Sequence, residues 1–192
     1  MTAEAGLTAL LGGVDLLERA VDYTLGSLDA AATADLAGPT PCADWDLRCL
    51  LDHVNDSLLA LHEAAALGRV FPDPGDHSTL DPVALLRDRA TRLVGAWAAP
   101  APRKEIALGD LELTSAVITA TGAFEVAVHG WDVARACGVR HPIPPALAEE
   151  LIALSPLLVT AADRPVRFAA PVAMPLGATP GDRLVAFLGR HP

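Results

Sequence analysis

The sequence predicts a mainly α-helical, single-domain protein (residues 1–192). Its core is a four-helix bundle over about residues 7–138, with a small extended hairpin before the last of the four helices. Residues 139–192 form a C-terminal helical elaboration. Composition points this way first: 52% of residues are hydrophobic, mostly Ala, Leu and Val, and only 4% are aromatic. That balance suits packed helices better than a sandwich or barrel. Periodicity points the same way, because the apolar residues recur at three- and four-residue steps in several long stretches. A chain of this length buries enough apolar surface to fold without a disulfide or metal staple.

The first helix spans about Leu7 to Ala32, with Leu10, Val14, Leu17, Val21, Leu25 and Leu28 on one continuous stripe. Pro39 and Pro41 break it, and Asp44 or Asp46 can cap the next helix. That second helix runs from about Asp46 to Leu67, with Leu47, Leu50, Leu51, Val54, Leu58 and Leu61 sharing a face, and Gly68 stops it. A Pro-, Gly- and Asp-rich linker, Phe71 to Pro82, leads to a third helix over Val83 to Trp97. Alternation around Gly109-Asp110 then reads as a small hairpin between Lys104 and Leu113. The fourth helix covers about Thr114 to Cys137 and ends at Gly138. A fifth lies near Pro145 to Thr160, followed by a proline-rich extended piece and a short helix over Asp182 to Leu188.

Charge removes several function classes. Fourteen basic against 24 acidic residues give a net charge of −10 and a pI near 4.9, without a basic run. Nucleic acid and an anionic membrane surface are therefore not expected partners. The N-terminus lacks the positively charged segment of a signal peptide, and the apolar stretch Leu113 to Phe124 is too short to cross a bilayer. Cys42, Cys49 and Cys137 form an odd set with no CxxC spacing, which reads as free thiols in a reducing, cytoplasmic compartment.

The fourth helix carries the chemistry. It is apolar nearly all round, as a central bundle helix is, yet it contains Glu125, His129 and Asp132. At about 100° per residue these lie within one narrow arc, so a carboxylate and an imidazole share a strip that should be buried. Two readings stay open on spacing alone. Glu125 and His129 can be hydrogen-bonded neighbours, paired with each other or with Arg135, or they can present two ligands to one metal ion. His53 lies off the leucine stripe of the second helix, where it could face a neighbouring helix. His62 points about 180° away from it, and His77, His141 and His191 fall in loops or the tail, where solvent is expected. Trp45 and Trp131 read as packing residues.

The segments PTPCADWDLRCLLDHV (Pro39 to Val54) and EVAVHGWDVARACG (Glu125 to Gly138) resemble the mycothiol-dependent maleylpyruvate isomerase family. The ending GDRLVAFLGRHP is similar to the closing motif of its compact actinobacterial members. The resemblance implies a DinB-like metal-binding four-helix bundle in which His53, Glu125 and His129 hold the ion. Two positions depart from the pattern: Cys49 stands where an acidic residue is common, and Asp52 where an amide is frequent. Cys49, one turn before His53, could become a fourth ligand and close the shell. The family's full-length isomerases carry a separate C-terminal domain that is longer than the stretch after Gly138.

Two imidazoles and one carboxylate suit zinc, with one position open. The resemblance implies that a low-molecular-weight thiol, mycothiol in actinobacteria, attacks a small electrophile in a transferase- or isomerase-type reaction. Asp132 would orient His129 or a neighbouring group. The expected partners are that thiol and a small-molecule substrate, and a homodimer is left open. Alternatives are a zinc-water hydrolase or lyase and a non-catalytic metal-binding bundle.

Overall fold

The computed structural model describes residues 3–71, 81–98, 104–164 and 166–192. Six α-helices dominate: α1 (Ala3–Ala31), α2 (Leu47–Leu67), α3 (Pro82–Trp97), α4 (Ser115–Ala136), α5 (Pro145–Leu158) and α6 (Pro180–Phe187). Three short strands, β1 (Arg69–Val70), β2 (Glu105–Leu108) and β3 (Leu111–Thr114), form a sheet in that order. The mainly α architecture is the one expected. None of the helices among the described residues is long and apolar enough to cross a membrane.

Local chemistry explains most boundaries. Asp46 caps α2 by accepting a hydrogen bond from the Cys49 amide at 2.8 Å, and Gly68 closes that helix in the left-handed conformation. Asp81 caps α3, with Pro82 in the first turn, where its missing N–H costs nothing. Thr114 caps α4. The leucine stripe of α2 is buried as its period demands. β2 and β3 make the expected hairpin across Gly109-Asp110, pairing Glu105 with Thr114 and Leu108 with Leu111.

Three features depart from the sequence reading. α1 is not one straight rod, because Gly13 adopts φ 47° and ψ −116° and kinks it. Only a residue without a Cβ takes that conformation cheaply, and an uninterrupted stripe conceals it. The chain leaving α2 adds β1, which runs parallel to β2 with Arg69 opposite Ala107. Two residues are too few to show alternation. After α5 the chain first makes a 3-10 turn, Ala161–Asp163, and the proline-rich stretch beyond it, expected to be extended, is turns and irregular loop among the described residues. Arg164 fastens this segment by donating to the carbonyls of Ala169 and Phe187.

α4 sits at the centre, packed against α1, α2 and α5. Two glycines let its neighbours approach. A Cβ on Gly122 would meet the Leu61 side chain at 2.4 Å, and one on Gly130 would meet Thr24 Oγ1 at 2.4 Å and its Cα at 3.1 Å. Thr24 is itself fixed, its hydroxyl donating to the Val126 carbonyl at 2.8 Å. Alanine at position 130 should therefore destabilise the protein by about 1–2 kcal/mol despite its better helix propensity, because overpacking outweighs that gain. Chemical denaturation measures this, and a stabilised Gly130→Ala variant would contradict the close approach.

Candidate metal centre

α2 and α4 pack together, and His53, which lies beside the leucine stripe of α2, meets the polar arc of α4 at Glu125. His53 Nε2 lies 2.5 Å from Glu125 Oε1, and His129 Nε2 lies 3.1 Å from the same oxygen. The two imidazole rings stand nearly perpendicular, 85° apart, with centroids separated by 5.0 Å. One donor atom from each of His53, Glu125 and His129 falls within 4.8 Å of the others. His53 and Glu125 keep about a third of their side-chain surface exposed, whereas His129 is nearly covered. The group therefore lies at the boundary between core and solvent.

Behind it is a buried layer. His129 Nδ1 donates to Asp132 Oδ2 at 2.9 Å. Asp132 is fully buried, and Arg190 grips both its oxygens, Nε to Oδ1 at 2.7 Å and Nη2 to Oδ2 at 2.6 Å. The Cys42 thiol donates to Asp132 Oδ2 at 3.3 Å and lies 3.6 Å from Arg190 Nη2. The loop carrying Cys42 is set by Thr40, whose hydroxyl accepts from the Cys42 amide and donates to the Trp45 carbonyl.

The electrostatics follow from this packing. Burial by itself would raise the Glu125 carboxyl, but the hydrogen bonds and charge of His129 and His53 hold it far below its usual range. Burial would likewise raise Asp132, yet Arg190 and His129 pull it down. Burial opposes a charged His129, and its hydrogen bonds with Asp132, Cys42 and Glu125 reverse that, raising it well above an ordinary histidine.

The first group fits a metal ion: two imidazole nitrogens converge on one carboxylate oxygen, so a cation can replace the protons they share. Cys42, His129 and Asp132 also bring donor atoms within 4.8 Å. That second group does not fit, because the Arg190 guanidinium already occupies both Asp132 oxygens and would repel another cation.

A pocket of about 590 Å³ opens over the first group. Trp45, Phe124, Val128 and Phe168 give it apolar walls. The Trp45 ring lies 4.8 Å from His53 and 6.1 Å from His129, centroid to centroid, so this tryptophan is part of the site and not simply packing.

Cys49 is not brought in. It is exposed and belongs to neither donor group among the described residues. A shared helical face sets a side chain's direction but not its depth. One turn, about 5.4 Å, carries Cys49 towards the solvated start of α2. Arg135, offered as a partner for Glu125 and His129, lies over the Trp131 ring at 5.5 Å. His141, expected in solvent, stacks on Tyr23 at 4.7 Å and accepts the Tyr23 hydroxyl at its backbone carbonyl. His77 lies outside the described residues. The sequence reading gave no role to Cys42 or Arg190. Both stand within the segments that carry the family resemblance, but no spacing rule joins positions 42, 132 and 190.

The family model described as the mycothiol maleylpyruvate isomerase N-terminal domain matches residues 17–134. Two Mycobacterium tuberculosis proteins, both titled as uncharacterized and from strains CDC 1551 and H37Rv, are each 28% identical over 197 residues. These matches cover 90% of this chain and 94% of each relative. No solved structure matches.

Removing the Asp132 carboxylate strands Arg190 in the interior, so Asp132→Ala should cost about 3–5 kcal/mol of stability. Cys49→Ser should stay within about 0.5 kcal/mol of the parent. Urea unfolding of the two variants side by side checks the contrast, and equal losses would refute it.

Proposed function

The chain belongs to the mycothiol maleylpyruvate isomerase N-terminal domain family, and from that premise we propose a zinc-dependent enzyme. In it a low-molecular-weight thiol of the mycothiol type attacks a small electrophile, in a transferase- or isomerase-type reaction. The observation that carries this reading is the convergence of His53 Nε2, Glu125 Oε1 and His129 Nε2 beneath an open pocket. These three residues would hold the ion. When bound, zinc supplies positive charge that lowers the pKa of an incoming thiol and polarises the electrophile.

The chain's own residues supply orientation. Asp132 accepts the Nδ1 proton of His129, which directs Nε2 into the pocket and fixes the tautomer there. Glu125 lies between the two imidazoles and balances part of the charge. Trp45 covers one side of His53, and Phe124, Val128 and Phe168 offer apolar contact to the body of a substrate. These walls keep the reacting groups in a partly dry environment, where electrostatic effects are stronger than in water.

Protein purified without chelator should carry about one equivalent of zinc, and His53→Ala and His129→Ala should lose most of it. Consumption of a thiol-reactive electrophile by the loaded enzyme should require added mycothiol. A thiol-independent rate would point instead to water as the nucleophile, in a hydrolase or lyase. A wild-type protein with neither zinc nor affinity for it would leave a non-catalytic bundle.

A further inference from the structure

We infer that Arg190, from the C-terminal segment, is a positioning residue of the metal centre: by gripping both oxygens of Asp132 it fixes the carboxylate that orients His129. This rests on the reading above that His53, Glu125 and His129 hold a metal ion. It extends that reading to a residue beyond the span matched by the family model, which ends at residue 134.

The end of α6 is shaped to deliver this side chain. The Gly189 amide donates to the Ala186 carbonyl and the Arg190 amide to the Val185 carbonyl, a Schellman stop. Gly189 takes φ 83°, and a Cβ there would lie 2.6 Å from the Ala169 Cβ. Glycine is thus required both for the turn and for its close seat against the preceding loop. The turn sends Arg190 back into the protein, where its side chain is only 9% exposed.

Its geometry is that of a planar fork on a carboxylate, with Nε and Nη2 each taking one oxygen. That contact fixes the plane of Asp132 as well as its position, and the plane sets the direction in which Oδ2 accepts from His129 Nδ1. A lysine at the same place brings charge but no fork. Without the fork, Asp132 can rotate and the imaginable orientations of the His129 ring multiply. The Cys42 thiol at 3.3 Å is too weak a donor to replace it.

A purely structural ion pair predicts something different, so the test separates folding from metal binding. Arg190→Met and Arg190→Lys are made in the full chain. Zinc affinity is measured by competition with a chromogenic chelator, the visible spectrum of the cobalt-substituted protein is recorded, and the chelator-treated proteins are melted. Positioning predicts that Arg190→Met weakens zinc binding by about 10- to 100-fold and alters the cobalt bands. Arg190→Lys should show a smaller loss of the same kind. Lower melting temperatures with wild-type zinc affinity and cobalt spectrum would overturn the inference while leaving the metal reading intact. Should Arg190→Met fail to fold, Arg190→Lys decides: wild-type affinity and bands refute the positioning role. Wild-type protein that takes up no zinc overturns the metal reading, and this inference with it.

Discussion

Charge inside an apolar helix is the constraint on which the site depends. α4 is buried along most of its length, yet it places Glu125, His129 and Asp132 within two turns. Ionised groups taken out of water must be matched inside the protein, because their hydration is lost and the low dielectric magnifies any imbalance. Each one here has partners from elsewhere in the chain: His53 for Glu125, Arg190 and Cys42 for Asp132. The need to satisfy α4 therefore draws together α2, the loop before it and the segment after α6. The fold and the site are one solution to the same electrostatic problem.

That solution sorts the donors by chemistry. Asp132 is neutralised by a fixed guanidinium, so its free-energy cost is met wholly within the protein. Among the described residues Glu125 is paired with two imidazoles, and imidazoles can give up their protons to a metal. Two carboxylates about two turns apart on the same helix thus differ in what they can accept. One is occupied by the protein, and the other is available to a visitor.

Much of this was legible in the residues. The leucine stripe of α2, its Asp46 cap and Gly68 stop, and the hairpin at Gly109-Asp110 all rest on local rules, and local rules can be read in one dimension. The unusual polarity of α4 was equally plain. What lay beyond reach depended on contacts distant in sequence. Nothing near Arg190 says that its side chain turns inwards, because that follows from the αL stop at Gly189 and the loop it packs against. Cys49 and Cys42 show the same limit. Helical phase favoured the first, whereas the course of a loop placed the second beside His129. The Gly13 kink was hidden for the opposite reason, since a glycine inside a regular stripe leaves the pattern unbroken.

The span between the two halves of the centre has its own consequence. His53 and Glu125 are 72 positions apart, and α3 and the sheet lie between them along the chain. An ion shared by these residues would act as a reversible cross-link, pinning α2 to α4 and closing a long loop of chain. By mass action, whatever binds the folded form and not the unfolded one deepens the native basin in proportion to its occupancy. The cohesion of the helix pair would then rise and fall with the free metal around it, making the bundle's rigidity a readout of supply.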